Sequence, residues 1–114
     1  MPGSTPSAFL PTECDDADTV IRVTPVELTG QLICRDQDEA ALVREHLPRH
    51  IDLTRAEAGC TRFDVTPTED PLVWTVREMF VDDDAFAAHQ RRVADSVWGH
   101  ATAGIERRYR ITRS

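Results

Sequence analysis

Apolar and polar residues alternate along four stretches of the chain, which is the pattern of half-buried β-strands. These stretches are residues 26–34, 60–65, 72–80 and 105–112. Between them, apolar residues recur at three- and four-residue steps over about 36–59 and again over about 82–97, which predicts two amphipathic helices. Pro48 stands inside the first helical stretch and predicts a kink or a break near residues 44–47.

The predicted order of elements is βαββαβ, which is the ferredoxin-like α+β arrangement: a four-stranded antiparallel sheet with two helices on one face. The polar turn over 66–71 is short enough for the second and third strands to pair as an antiparallel hairpin. The other face of the sheet is left uncovered, and the third strand places apolar residues there, among them Val73, Met79 and Val81. We therefore expect a homodimer whose two sheets pack face to face.

The start of the chain has a different composition from the rest. Residues 1–24 are rich in Pro, Gly, Ser and Thr and carry several acidic side chains. Such a segment buries too little apolar surface to fold alone. We expect an extension that is flexible or that drapes over a partner subunit, and we place the folded domain at 25–114.

Two ionisable residues, Glu78 and His89, stand where apolar side chains are expected. Glu78 shares one face of its strand with four large apolar residues, namely Leu72, Trp74, Val76 and Phe80. His89 lies in the apolar stripe of the second helix, together with Phe86, Val93 and Val97. If the helix packs on the strand, the two groups approach each other and predict a site. The alternative is a satisfied core histidine and a carboxylate bonded to backbone groups.

Composition excludes several classes of function. The net charge is −7, and the Arg residues near the C-terminus alternate with apolar residues as in a strand, so no nucleic-acid partner is expected. The chain contains no Lys, which excludes a Schiff-base lysine and a P-loop. His46 and His50 have the spacing of two metal ligands, but with no Cys nearby and Arg49 alongside, a solvated helix face is preferred and no metal is expected.

Cysteine spacing and hydropathy indicate where the protein resides. Cys14, Cys34 and Cys60 are odd in number and far apart, which supports neither a disulfide framework nor a zinc site. No apolar run has the length of a membrane span, and the N-terminus lacks the features of a signal peptide. We therefore expect a cytoplasmic protein with reduced thiols and no contact with membranes.

Several of these segments together resemble the antibiotic biosynthesis monooxygenase family. The resemblance rests on residues 50–60, 63–65, 70–71, 78–80, 85–86 and 89–90, and it extends over about 26–112. One departure is Ala58, where many relatives have Pro. The resemblance implies a dimeric α+β barrel. Within the family, some members are cofactor-free oxygenases of quinols or polycyclic phenols, some relatives degrade haem, others act on small signalling sugars, and many have no known activity.

The resemblance also implies roles for particular residues. His89 and Glu78 match the polar positions of the family pattern, His50 matches a recurrent histidine at the end of the first helix, and Trp74 lies on the strand that lines the pocket. The function that follows is a cofactor-independent monooxygenase of a quinol or phenol, with O₂ as co-substrate. His89 would take the phenolic proton, Glu78 would orient His89, and Trp74 would stack on the ring.

Three more aromatic residues complete the expected substrate-binding set: Phe80, Phe86 and Tyr109. Tyr109 could equally pack within the sheet. Two alternative functions stay open at this point. One is a non-catalytic dimeric module that binds a small ligand, which would not need the Glu78 and His89 pair. The other is haem degradation, which is disfavoured because the relatives that perform it use an asparagine and this chain contains none.

Overall fold

The computed structural model describes residues 24–113. Along this part of the chain the strands and helices are β1 (Val26–Ile33), α1 (Gln37–Arg55), β2 (Cys60–Pro67), β3 (Val73–Phe80), α2 (Asp83–Ala94), α3 (Val97–Ala101) and β4 (Glu106–Arg113). The predicted order of strands and helices is confirmed, with α3 as an addition. Apart from Thr24, the predicted N-terminal extension lies outside the described residues.

The four strands form one antiparallel sheet in the order β2-β3-β1-β4. This is the predicted ferredoxin-like topology, and β2 and β3 form the predicted hairpin. Leu28 at the centre of the sheet lies opposite Glu78 on one side and Ile111 on the other. Residues directly opposite each other share a face, so Glu78 projects on the same side as the apolar side chains of β1.

The core lies between this sheet face and the helices. Its buried apolar side chains from the strands and their ends are Val26, Leu28, Leu32, Cys34, Trp74, Val76, Phe80 and Ile105, and those from the helices are Ala40, Val43, Leu47, Phe86 and Trp98. Burial of a large side chain such as Phe80 contributes about 1.5–3 kcal/mol. The apolar side chains that alternate along the strands therefore hold the helices on one face of the sheet.

Helix α1 runs without a break through Pro48, so of the two predicted outcomes, a kink or a break, the break does not occur. Asp36 caps its start by accepting a hydrogen bond from the backbone N–H of Glu39 at 3.0 Å. Pro48 removes one helical hydrogen bond and costs about 3 kcal/mol in a helix interior. Residues on both sides of it, among them Val43, Leu47 and Thr54, are buried. Their packing offsets that cost, so tertiary contacts override the local preference.

The second predicted helix is divided into α2 and α3. Asp82 caps α2 by accepting a hydrogen bond from the backbone N–H of Ala85 at 2.8 Å. At the other end, the Ser96 hydroxyl donates to the carbonyl of Val93 at 2.7 Å and accepts from the backbone N–H of Gly99 at 2.9 Å. Because this hydroxyl competes with helical hydrogen bonding, α2 ends at Ala94 and a new helix begins.

Gly30 in the middle of β1 allows β4 to come unusually close. Its φ is +152°, and a Cβ atom there would lie 2.0 Å from the carbonyl oxygen of Arg108 and 2.9 Å from Cα of Tyr109. Only glycine tolerates both this backbone conformation and this contact. This close approach fixes the position of Tyr109 on the helix side of the sheet.

The opposite face of the sheet is more polar than β3 alone indicated. Thr75 and Arg77 are exposed there, and Arg77 donates to Glu27 on β1 at 2.9 Å. The apolar residues Val73 and Met79 are half-buried. The homodimer through this face stays a prediction. Within residues 24–113, no helix is long and apolar enough to cross a membrane.

Candidate functional site

His89 is buried in the core side of α2, with only 3% of its surface exposed. Its ring packs beside that of Phe80 at a centroid separation of 4.8 Å and lies 6.0 Å from that of Phe63. Burial lowers the pKa of His89, and the attraction of Glu57 for the charged form opposes this only in part. The imidazole is therefore neutral at neutral pH and able to accept a proton.

Glu57 is the hydrogen-bond partner of His89. The Nδ1 atom of His89 lies 3.0 Å from Oε1 of Glu57. Because a carboxylate only accepts hydrogen bonds, Nδ1 carries the proton and Nε2 keeps its lone pair. Arg92, one turn after His89, donates to the other carboxylate oxygen of Glu57 and also to Oγ1 of Thr54 at 2.8 Å. These contacts fix both the orientation and the tautomer of the histidine.

Sequence reasoning missed Glu57 because it lies in the turn after α1, where no periodicity applies. Gly59 brings this turn to α2, since a Cβ atom on Gly59 would lie 2.3 Å from Cβ of Ala85. This close packing places Glu57 within reach of His89, which is 32 residues further along the chain. The available signal was the position of Glu57 inside the segment 50–60.

Glu78 faces His89 from β3, as predicted, but without a hydrogen bond between them. Its Oε1 atom lies 3.6 Å from Nε2 of His89, which is beyond hydrogen-bonding distance. This oxygen is buried and has no hydrogen-bond partner among the described residues. Burial raises the pKa of Glu78 to about 7; repulsion by Glu57 adds to this and the charge of Arg107 opposes it. The carboxyl group therefore takes up or releases a proton near neutral pH.

Glu78 and His89 line a cavity of about 320 Å³ between α2, α3 and the sheet. Ligand pockets in proteins have volumes of about 300–1,000 Å³, so this one suits a small molecule. The other predicted site residues in its wall are His50 and Tyr109. Arg107 and Trp98 also line it, and neither was among the predicted site residues.

His50 contributes a second buried polar atom without a partner. Its ring stacks on Trp98 at a centroid distance of 4.6 Å and an interplanar angle of 7°, and it meets Phe63 edge-on at 5.2 Å. Burial, together with the nearby His89, Arg92 and Arg107, lowers the pKa of His50 to about 3, so the ring is neutral. Its Nδ1 atom has no hydrogen-bond partner among the described residues. Within that part of the chain, the buried side-chain atoms that lack partners are thus His50 Nδ1 and Glu78 Oε1, and both residues line this cavity.

Tyr109 and Arg107 approach the cavity from β4. Tyr109 lies opposite Gly30 on the helix side of the sheet, and burial raises the pKa of its hydroxyl to about 12. Of the two interpretations of Tyr109, the structure favours the one in which it lines the cavity. The guanidinium of Arg107 donates to the carbonyls of Thr102 and Ile105 at 2.8 and 3.0 Å and to Oγ1 of Thr102 at 2.8 Å.

The structure does not bring Trp74, Phe80 or Phe86 into the wall of this cavity. Trp74 shares the sheet face of Glu78 but stands four residues away, about 13 Å along the strand. It borders a separate depression next to Leu47 and Pro48 of α1. Phe80 and Phe86 pack against each other in the core at a centroid distance of 5.5 Å. Periodicity placed these rings on the correct face but could not give their position along it.

A second cavity, of about 480 Å³, lies between the helices and shares His50 and Trp98 with the first. His46 and Arg49 of α1 line it, together with the exposed Val97. Among the described residues, no three or more His, Cys, Asp or Glu side chains are grouped closely enough to hold a metal ion.

Comparisons with known proteins place these features in context. Residues 35–97 match the family model for antibiotic biosynthesis monooxygenase. None of the curated protein sequences matches this chain.

Solved structures with the same fold come from several organisms. A protein from Shewanella oneidensis superposes with a TM-score of 0.63 at 18% identity, covering 82% of this chain and 93% of its own. A Bacteroides thetaiotaomicron protein described as a possible oxidoreductase gives 0.63 at 13% identity, with 82% and 100% covered. A Nitrosomonas europaea protein described as a candidate antibiotic biosynthesis monooxygenase gives 0.63 at 16% identity, with 82% and 91% covered. At these identities the likeness shows the fold alone.

Proposed function

The chain belongs to the antibiotic biosynthesis monooxygenase family, and we propose that it oxidises a quinol or another phenolic aromatic compound with O₂, without a bound cofactor. The observation that carries the proposal is the Glu57–His89 pair, which leaves Nε2 of His89 as a neutral acceptor in the wall of this cavity. Such a group is suited to remove a proton from a weakly acidic ligand.

The gap between His89 and Glu78 fits a phenolic oxygen. Hydrogen bonds between oxygen or nitrogen atoms are about 2.7–3.0 Å long. A hydroxyl oxygen placed beside the 3.6 Å gap can therefore reach Nε2 of His89 and Oε1 of Glu78 at once. Its proton would point to Nε2, and a protonated Glu78 would donate to its lone pair. This contact would also satisfy the buried oxygen of Glu78, which otherwise lacks a partner.

Proton removal prepares the ring for oxygen. His89 takes the phenolic proton, and the carboxylate of Glu57 stabilises the imidazolium that forms, while the more electron-rich phenolate reacts with O₂. With a hydroquinone the balance closes without another reductant: the quinol and one O₂ give a hydroxyquinone and one water, and the ring supplies the electrons. The apolar walls, which include Leu28, Val93 and Trp98, keep bulk water from the intermediate.

Oxygen uptake tests this proposal. Metal-free protein would be assayed with a panel of hydroquinones and polyphenols, with boiled protein as the measure of autoxidation. His89→Gln, which keeps most of the side-chain volume, should lower the rate by about 10²–10⁴-fold. His100→Gln is the matched control, because His100 is exposed on α3. A His89→Gln enzyme as fast as the His100→Gln enzyme would rule out His89 as the base.

A non-catalytic ligand-binding module is the second candidate. It is favoured by the hydrogen bonds that join Glu57, His89, Arg92 and Thr54. These hydrogen bonds link α1 to α2 and stabilise the fold whether or not the protein is an enzyme. In that case no compound in the panel would give uptake above autoxidation. Phenols would still bind in the cavity, and His89→Gln would leave their Kd nearly unchanged.

A further inference from the structure

Arg107 is a cation held in place at the wall of the cavity. Two carbonyl groups and the Thr102 hydroxyl accept its hydrogen bonds, and Thr102 is itself fully buried and donates to the carbonyl of Trp98 at 2.7 Å. This arrangement uses both hydrogens of Nη1 and one of Nη2. It leaves two guanidinium hydrogens, one on Nε and one on Nη2, for the nearby hydroxyl of Tyr109 and for a ligand.

Among the described residues, Arg107 forms no salt bridge with a carboxylate. All of its hydrogen-bond acceptors there are neutral oxygens. Its neighbours differ: Arg108 pairs with Glu106 at 2.6 Å, and Arg113 pairs with Asp83 at 2.7 Å. A half-buried cation is normally paired with a carboxylate. The cavity therefore contains a fixed positive charge with a hydrogen-bond donor left for a ligand.

We propose that Arg107 binds the negative charge of the ionised substrate, so that the ligand of this cavity is held as an anion. The inference rests on the proposed function, in which His89 removes a proton and a phenolate is left in the cavity. Glu78 cannot balance that charge, because its ionised form would repel it. Arg107 is the cationic side chain in the wall of the same cavity. Opposite charges at a preorganised, partly buried site attract each other strongly.

The effect of Arg107 on its neighbours supports this assignment. Its charge lowers the pKa values of Glu78 and of Tyr109 against the larger effect of burial. A positive field that favours negative charge on two residues in the cavity wall also favours it on a ligand between them. The other titratable groups facing the ligand are His89 from α2 and His50 from α1, both neutral at neutral pH, with Glu57 and Arg92 paired behind His89.

A phenol whose ionised form is coloured tests the proposal without any turnover. The probe is 4-nitrophenol, a single ring, and a cavity of about 150 Å³ already suffices for benzene. Its absorbance would be titrated with pH, free and in the presence of excess protein. We expect the wild type to lower the pKa of the bound dye. Arg107→Gln should raise that bound pKa by about 1 or more, as expected for loss of an opposite charge within hydrogen-bonding reach.

Two further variants make the test specific. Arg107→Lys keeps the positive charge and should retain part of the effect. Arg110→Gln changes an exposed arginine on the opposite face of the same strand and should behave as the wild type. Circular dichroism and thermal melting would establish that each variant is folded. An Arg107→Gln protein that lowers the dye pKa as much as the wild type, or a wild type that binds only the neutral phenol, would overturn the proposal.

This test separates the two proposals. If the dye titration depends on Arg107 but no phenol gives oxygen uptake, the anion site stands and the oxygenase function fails. If oxygen uptake is intact in Arg107→Gln and the dye titration is unchanged, the oxygenase function stands and the role of Arg107 fails.

Discussion

Replacing Glu78 by glutamine should make the protein more stable at high pH. Burial raises the pKa of this carboxyl group from 4.5 to about 7. In the folded protein the group therefore keeps its proton over a pH range in which the unfolded chain has lost it. Across that range the native state binds more protons, so the free energy of unfolding falls as pH rises. Above about pH 7 the carboxylate is charged in both states, and the full cost of burying it is present.

The magnitude follows from the size of the pKa change. One pKa unit corresponds to about 1.4 kcal/mol, so the change from 4.5 to about 7 amounts to about 3 kcal/mol. Glu78 is only 7% exposed, so solvent screens little of this. Glutamine has the same shape and carries no charge. The difference in free energy of unfolding between Glu78→Gln and the wild type should therefore increase by up to about 3 kcal/mol from about pH 5 to about pH 9.

Urea denaturation at both pH values measures this difference. Subtracting the wild-type profile from that of the variant removes the contributions of other titrating groups, including the buried histidines. Glu69→Gln is the matched control, since Glu69 is exposed in the turn between β2 and β3. Parallel profiles for Glu78→Gln and wild type would refute the conclusion that this carboxyl group titrates near neutral pH.

Two other changes test the remaining features. Gly30→Ala should lower the free energy of unfolding by more than about 1 kcal/mol, because Gly30 has a positive φ and lies against β4. Gly104→Ala is the control, because the added Cβ there meets nothing within 4 Å. Equal denaturation midpoints for the two variants would contradict the steric argument. Burial lowers the pKa of His50 from its ordinary 6.5 to about 3, so the wild type loses stability as pH falls below 6.5. The free energy of unfolding of His50→Phe, relative to that of the wild type, should increase by about 2 kcal/mol from about pH 8 to about pH 5. If urea titrations gave the same difference at both pH values, His50 would titrate normally.

Periodicity predicted the fold and the facing positions of Glu78 and His89, and the reason is physical. Alternation in a strand and three- and four-residue spacing in a helix report which face of each is buried. That information was enough to place Glu78 and His89 on facing surfaces. The caps at Asp36 and Asp82 are local interactions within four residues, so they too can be read from the sequence.

The features that were missed depend on distances that periodicity does not contain. Glu57 meets His89 only because the turn after α1 packs against α2. Trp74 was expected to stack on the substrate because the resemblance places it on the strand that lines the pocket, but it borders a separate depression next to Leu47 and Pro48. The division between α2 and α3 depends on the hydroxyl of Ser96, a competition that the apolar stripe cannot reveal.

The alternation of β3 has a consequence for how this sequence can change. Arg77 and Glu78 are neighbours that point to opposite sides of the sheet. Deleting or inserting one residue within β3 before them would exchange the two sides, sending the arginine into the cavity and the glutamate into solvent. An insertion of two residues would restore the sides. The number of residues in β3 before Glu78 is thus constrained in parity, and the apolar residues that hold the strand in register also preserve the sign of the charge at the site.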